Sequence, residues 1–188
     1  MISAASIRRL ARVLPPVLLA GLLAACIAGP SGNRHVPQPA KPVDLARYLG
    51  VWHEFARYDM AFEKGCEGVT ARYDLRPDGK VAVTNTCHQG APDGPVRVAR
   101  GKAVPVAGSD GAKFKVSFFG PAPFANYWVL DHADDYSWAI VGEGSGRYLW
   151  ILTREAVPTP QRREALLQRV RQLGYDTSML RFTRQPPQ

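Results

Sequence analysis

The sequence predicts an all-β domain, an eight-stranded up-and-down antiparallel β-barrel with one C-terminal α-helix packed outside. Short apolar-rich segments recur between residues 52 and 153, and Gly, Pro, Asp and Ser cluster in the links between them. Short strands separated by turn signals indicate a sandwich or a barrel. Because each segment joins the next by a short link, a barrel can close the meander without leaving an exposed edge. Eight strands would enclose room for one small ligand.

The strands follow a short helix at residues 45–49, which Asp44 can cap and Gly50 ends. The eight predicted strands are residues 52–58, 69–75, 81–87, 96–106, 112–119, 126–130, 136–142 and 147–153. Turn-forming residues mark the links at 77–79, 108–111, 134–135 and 144–146. The Pro-Asp-Gly sequence of the first of these links is typical of a tight hairpin turn.

The helix follows the last barrel strand. Thr159 can cap it, Pro160 suits its first turn, and Gly174 ends it. Its apolar stripe, which should pack on the barrel, consists of Leu166, Leu167, Val170 and Leu173. Arginines at 162, 163, 169 and 171 lie on or near the outer face, where a solvated surface is favoured over a phospholipid-headgroup site. A last extended segment, 179–184, should add a strand.

The first 25 residues have the features of a secretory signal. Three arginines precede a Leu/Ala-rich apolar run that is too short to cross a bilayer comfortably. The sequence LAAC at 23–26 resembles the lipobox of bacterial lipoproteins, in which the cysteine is acylated after cleavage. The resemblance predicts a lipid anchor on Cys26, with an ordinary signal and a chance cysteine as the alternative. Ile27 stands where Asp would retain a lipoprotein at the inner membrane, which favours the outer membrane.

The domain organisation follows from this signal. We expect a signal peptide at 1–25, a lipidated flexible tether at 26–42, which is rich in Pro and Gly, and a folded domain at 43–185. The whole chain has 188 residues and a formal charge of +8, which falls to +5 without the signal. Its cations are scattered and the protein is exported, so nucleic-acid binding is a poor interpretation.

Three motifs, in this order, resemble those of the lipocalin family. Gly50 and Trp52 open the first strand, Asp131 precedes Tyr136 around a turn, and Arg154 ends the eighth strand. A Gly followed by a core Trp is a weak signal when taken alone. Segments 116–121 and 148–154 narrow the resemblance to the bacterial lipoprotein branch that also resembles apolipoprotein D, and the likeness runs from about residue 43 to about residue 185.

The resemblance implies a structural role for these motif residues. Trp52 would plug one end of the barrel, and Arg154 would pack on its face, where a guanidinium gains cation–π energy. Asp131 and Tyr136 would form a turn at that same end. The chain departs from the usual form at Leu130, where the branch commonly has Thr, and this puts the local capping bonds in doubt.

Two cysteines remain after Cys26. A pair in an exported domain indicates a disulfide, and the hairpin around Asp78 and Gly79 brings Cys66 and Cys87 close enough to bond. A pair of free thiols is the alternative.

No enzymatic motif is present in the sequence. It lacks G-x-S-x-G, HExxH and a phosphate loop, and its four histidines have no metal-ligand spacing, so we expect no enzyme, no metal and no cofactor. Glu54 shares the parity of Trp52. As a lone inward carboxylate it should be a hydrogen-bonded structural group or a polar ligand handle rather than a catalyst.

The predicted ligand-binding face follows from strand alternation. Counting from Trp52 and using the apolar parity of strands two and five, we expect these inward residues: Glu54, Ala56, Tyr58, Ala71, Tyr73, Phe114, Val116 and Phe118. The sixth to eighth strands are apolar on both faces, so their candidates are Trp128, Trp138, Tyr148 and Trp150, of which some must lie under the helix. The resemblance implies a fatty acid or lysophospholipid ligand. A lipocalin-fold enzyme and a structural envelope lipoprotein remain as alternatives, and the oligomeric state is open, a homodimer included.

Overall fold

The computed structural model describes residues 30–118 and 125–186. All of the described residues from Ser31 onward belong to one compact unit. The predicted signal peptide and Cys26 lie outside the described residues. Among the residues that are described, no helix combines the length and hydropathy that a membrane span needs.

The described residues form a closed antiparallel barrel with an additional strand. The strands are β1 Gly50–Tyr58, β2 Cys66–Leu75, β3 Val81–Gln89, β4 Val96–Pro105, β5 Lys113–Ser117, β6 Ala125–His132, β7 Trp138–Gly142, β8 Leu149–Thr153 and β9 Leu180–Phe182. The helices are α1 Leu45–Tyr48 and α2 Pro160–Gln172, and two 3₁₀ turns occupy Ala61–Glu63 and Thr177–Met179. Each strand from β1 to β7 pairs with the next along the chain, and β8 pairs with β1, which closes the barrel. The predicted eight-stranded up-and-down barrel is confirmed.

The links between strands fall alternately at two ends of the barrel, because every strand reverses direction. One end holds α1, the start of β1 and the β6–β7 link, and we call it the Trp52 end. The other holds the 3₁₀ turn after β1, the β3–β4 link and the β7–β8 link at 143–148, and we call it the Glu63 end.

The C-terminal segment closes the seam where β2 separates from β1. The two strands pair directly only from Gly50 to His53, and beyond that point β1 pairs with β9. The tail after β9 then bridges the gap, because the Gln185 amide donates to the carbonyls of Glu54 (2.9 Å) and Val69 (3.1 Å). The last extended segment therefore adds a strand, as predicted.

Helix α2 packs on the outside of the barrel. The Thr159 hydroxyl accepts a hydrogen bond from the backbone of Arg162 (3.2 Å), which is the expected cap. Leu166 and Val170 are buried against the barrel. Arg169 is not simply solvated, because its Nε lies 2.6 Å from the Asp131 carboxylate on β6.

Residues 31–42 are not the flexible tether that the composition predicted. They lie along the barrel, and their polar groups are hydrogen-bonded to it and to the end of α2. The bonds are Gly32 N to Gly146 O (3.0 Å), Asn33 Nδ2 to Leu173 O (2.9 Å), Ala40 N to Leu130 O (2.9 Å) and His132 Nε2 with Pro42 O (3.0 Å). A Pro/Gly-rich segment suits a flexible linker and an extended strap equally, so its composition could not reveal these partners.

The Cys66–Cys87 disulfide is confirmed. It joins the first residue of β2 to the neighbouring strand β3, with Cα atoms 5.3 Å apart. The bond therefore ties the two strands together at the Glu63 end.

Candidate ligand-binding site

Two apolar clusters lie on opposite faces of the barrel wall. The inner cluster lies inside the barrel and includes Trp52, Ala71, Tyr73, Val83, Phe114, Val116, Val129, Val141 and Leu152. The outer cluster lies between the wall and α2 and includes Phe55, Ala56, Tyr58, Leu130, Ile140, Leu149, Ile151, Leu166 and Val170. A residue's membership of one cluster or the other decides whether it can line a ligand site inside the barrel.

A β-bulge in β1 reverses the face that its later residues present. The register with β8 shifts between Glu54, which pairs with Leu152, and Ala56, which pairs with Ile151. An extra residue in one strand moves every following side chain to the other face. The prediction that Ala56 and Tyr58 line the interior is therefore wrong, since both belong to the outer cluster.

Strands β2 and β5 keep the predicted alternation. Ala71, Tyr73, Phe114 and Val116 are buried in the inner cluster, and the partly buried Phe118 packs against it. These five side chains form the apolar part of the candidate site. Their neighbour Tyr127 on β6 also packs there, although sequence parity could not select it.

The aromatic residues of β6 to β8 divide between the two faces. Trp128 and Trp138 pack against the outer cluster, and Lys113 Nζ lies 4.0 Å from the Trp128 ring centre, so placing Trp128 at the ligand site is wrong. Trp150 packs against the inner cluster. Tyr148 precedes β8 at the Glu63 end, where its ring stacks on Trp150 at 6.0 Å.

The Trp52 end is sealed by an indole beneath a guanidinium. Arg154 Cζ lies 3.7 Å from the centre of the Trp52 ring, which is fully buried. The Trp52 Nε1 donates to the Tyr48 carbonyl (2.8 Å). The guanidinium donates to five carbonyls, those of Val51 (2.7 Å), Arg47 (2.9 Å), Leu49 (2.9 Å), Tyr48 (3.2 Å) and Tyr136 (3.4 Å). The two residues that the resemblance paired are thus in contact, and neutral acceptors surround the charge.

The second motif lies beside this seal. Tyr136 adopts a left-handed φ of 59°, and its hydroxyl accepts from the Asp44 backbone (2.8 Å) while His132 stacks on its ring at 4.4 Å. Gly50 has a φ of 93°, a conformation that favours glycine. Asp131 points outward to α2 and so joins the helix to the barrel.

Three tyrosine hydroxyls meet inside the barrel. The hydroxyl of Tyr127 lies 2.7 Å from that of Tyr48 and 2.9 Å from that of Tyr73. Burial raises the pKa of Tyr73 to about 12 and raises the pKa of the other two phenols well above their ordinary range. The trio therefore stays neutral and offers a hydrogen-bonding group within an apolar wall.

A buried ionic cluster lies nearer the Glu63 end. The fully buried Arg57 guanidinium contacts Glu54 (Nη1 to Oε1, 2.5 Å) and Glu63 (Nε to Oε2, 3.3 Å). The Thr183 hydroxyl donates to Glu54, and Trp150 Nε1 donates to Glu63 (3.3 Å). Glu54 is thus a hydrogen-bonded group facing inward, whereas Arg57 and Glu63 were missed by sequence reasoning.

The cluster holds two carboxylates and one guanidinium. Burial and the neighbouring Glu54 carboxylate raise the pKa of Glu63 to about 8, and burial also raises the pKa of Glu54 while Arg57 opposes it. A protonated Glu63 near neutral pH leaves the cluster uncharged overall, with a carboxyl group that can donate or accept a hydrogen bond. Within the described ranges, no group of His, Cys, Asp or Glu side chains could hold a metal ion.

An eight-stranded up-and-down barrel, sealed at one end and polar near the other, belongs to the class of β-barrels that can hold one small ligand. Within that class, the chain belongs to the lipocalin-like domain family, whose family model matches residues 43–185.

Similar proteins agree with this assignment. The outer membrane lipoprotein Blc of Vibrio cholerae is 36% identical over 175 residues, which cover 90% of this chain and 96% of that protein. Apolipoprotein D of Cavia porcellus is 36% identical over 152 residues, which cover 73% of this chain and 78% of that protein. The structure of insecticyanin from Manduca sexta has a TM-score of 0.65 at 20% identity over 80% of this chain and 86% of that one, a likeness of fold alone.

Proposed function

We propose that this protein is an outer-membrane-anchored lipocalin that binds a fatty acid or lysophospholipid inside its barrel. The observation that carries the proposal is the division of the interior into an apolar wall and a polar group. Phe114 and Val116 represent the wall, and the Glu54–Arg57–Glu63 cluster lies toward the Glu63 end. An apolar site with a few fixed polar groups suits one acyl chain with its headgroup near the mouth.

The membrane anchor is part of the same proposal. Cys26 follows a lipobox-like sequence and would carry the acyl chains, after removal of the signal peptide at 1–25. At about 0.8 kcal/mol per buried CH₂, one chain binds only marginally and two or more hold a protein firmly. Similarity to proteins named outer membrane lipoprotein, together with Ile27 after the cysteine, supports the outer membrane and a domain facing the periplasm.

The ligand class follows from what the interior offers. The aromatic and aliphatic wall from β2 and β5 favours a hydrocarbon chain, because each buried CH₂ contributes about 0.8 kcal/mol. The Tyr48–Tyr73–Tyr127 hydroxyls and the Glu63 carboxyl can hydrogen-bond an ester, a hydroxyl or a carboxylate. These partners match the chemistry of a single-chain lipid.

The test is a titration of the Cys26→Ser protein, freed of bound lipid, with a long-chain fatty acid and with a lysophospholipid, followed by Trp fluorescence. Val116→Trp places a bulky ring on the inner wall and should abolish binding while the far-ultraviolet spectrum stays native. Lys115→Trp is the matched control, because Lys115 is exposed on the other face of β5, and this variant should bind like the parent. Equal binding by both variants would place the ligand outside the barrel and overturn the proposal.

A further inference from the structure

We infer that the Glu63 end of the barrel docks on the membrane that holds the lipid anchor, so that the interior opens onto the headgroup layer. The inference rests on the proposed acylation of Cys26 and deepens it. The occupant of this surface is a lipid bilayer.

The segment at 31–42, which we call the strap, begins at the Glu63 end of the barrel. The Gly32 and Asn33 backbones both donate to the carbonyl of Gly146 (3.0 and 3.3 Å). The Ser31 hydroxyl donates to the Ser145 carbonyl (3.0 Å). Both acceptors lie in the β7–β8 link, so the chain joins the folded domain at the Glu63 end and then runs toward the Trp52 end, where Pro42 contacts His132.

The second step is the length of chain between the anchor and the domain. Four residues lie between Cys26 and Ser31 in the sequence, and the five Cα–Cα steps that join the two can span at most about 18 Å when fully extended. The ten-residue strand β2 is about 33 Å long, or roughly 25 Å along a barrel axis when tilted. If the Glu63 end rests on the membrane, Ser31 lies near the membrane surface and within reach of the anchor. If the Trp52 end rested there instead, Ser31 would lie roughly 25 Å from the surface, farther than the chain from Cys26 can span.

The third step is the chemistry of the two ends. Phe62 is 60% exposed and packs on Tyr148 (5.9 Å), and aromatic side chains favour the membrane interface. Exposed cations at this end include Arg34, Lys64, Arg97, Arg147 and Arg184, and its exposed acids include Asp59, Asp93 and Asp176.

The Trp52 end has the opposite balance. Its exposed acids include Asp44, Asp78, Asp110, Asp134, Asp135 and Glu155, against the exposed cations Arg47 and Arg76 and the half-buried Lys80. Large apolar side chains are exposed there too, for example Leu75 at 58%, so apolar exposure alone does not choose between the ends. The balance of charge distinguishes the two ends, because anionic lipid attracts Lys and Arg near its surface by about 1 kcal/mol each and repels carboxylates.

This orientation would give the lipid a short route into the barrel. Trp150 and Glu63 lie just inside the exposed Phe62–Tyr148 pair, so a single-chain lipid could leave the headgroup layer without crossing bulk water. The strap, which is hydrogen-bonded along the barrel, then fixes the orientation of the domain on the membrane. Its composition had suggested a flexible spacer instead.

The experiment uses the full acylated chain in vesicles of phosphatidylethanolamine and phosphatidylglycerol. Arg147→Cys and Arg76→Cys, one exposed arginine at each end, are labelled separately with an environment-sensitive fluorophore. On vesicle binding, the emission of the label at 147 should shift to the blue, and a headgroup-located quencher should dim it, while the label at 76 should show neither change. Equal responses, or a stronger response at 76, would overturn the orientation.

Two further measurements keep the inference separate from the proposed anchor. If the chain fails to float with the vesicles, it is not anchored, and this result contradicts the proposed acylation of Cys26, on which the orientation depends. If it floats, a Gly/Ser insertion between Pro30 and Ser31 tests the surface itself. With this insertion, the 147 label should keep at least part of its response. A label at Phe62→Cys then reports on a second variant, in which Lys64→Glu and Arg147→Glu should remove the response at position 62. A response that survives both changes would contradict docking through this surface.

Discussion

Each end of the barrel holds an arginine in different surroundings, half-buried at the Trp52 end and fully buried toward the Glu63 end. At the Trp52 end Arg154 lies over an indole and donates to backbone carbonyls, none of which can titrate. Toward the Glu63 end Arg57 lies between two carboxylates. The first arrangement is a fixed closure, while the second can gain or lose a proton and contact a ligand. We therefore expect stability to depend most on the Trp52 end and lipid binding to depend most on the Glu63 end.

The largest expected effect is on the closure. Trp52→Ala should lower the free energy of unfolding by about 3–5 kcal/mol, the usual result of truncating a fully buried large aromatic. Trp150→Ala, the matched change toward the Glu63 end, should cost less stability because that ring is only partly buried, and it should weaken lipid binding instead. Urea melts measure the stability loss of each variant, and lipid titrations measure its loss of binding. Equal stability losses would contradict the expected difference between the two ends.

The contact between Trp52 and Arg154 can be tested on its own. Arg154→Ala should destabilise the protein in the same direction as Trp52→Ala. Because the side chains touch, the double variant should lose less than the sum of the two single losses. Strictly additive losses in urea melts would show that the pair is not coupled.

A smaller effect, confined to the Glu63 end, is a pH dependence. The pKa of Glu63 is raised from its ordinary 4.5 to about 8, so the folded protein holds this proton more tightly than the unfolded chain. Its contribution to stability is fully present below pH 4.5 and is lost as the pH rises to about 8, at no more than about 1.4 kcal/mol per pH unit.

Replacement of the titrating group isolates that contribution. We expect urea melts of the parent to show a decline in unfolding free energy between pH 5 and 8, and Glu63→Gln should flatten it. Glu164→Gln, on the exposed face of α2, should leave the decline unchanged. A decline of the same slope in the Glu63→Gln variant would assign the pH dependence to another group.

The strand count, the helix and the disulfide were predictable because they depend on local signals. Pro and Gly turns separate the strands, Thr159 caps α2, and the hairpin places Cys66 near Cys87. Alternation also located Phe114 and Val116 correctly, because β5 has polar residues on its other face.

The errors come from long-range pairing. The bulge that turns Ala56 and Tyr58 outward depends on how β1 aligns with β8, which its own sequence does not show. A second bulge, between Val129 and Asp131, lies in a strand with apolar residues on both faces. Glu63 lies in a link and is buried only when that link folds over Arg57. An arginine within the apolar strand β1 was the one local sign that a buried partner was needed.

Native mass spectrometry of the purified Cys26→Ser protein can show whether lipid binds in the barrel interior. We expect the parent and Lys115→Trp to carry one co-purified lipid per chain, with the mass of a fatty acid or lysophospholipid, and Val116→Trp to carry none. A lipid adduct retained by a natively folded Val116→Trp protein would contradict the account.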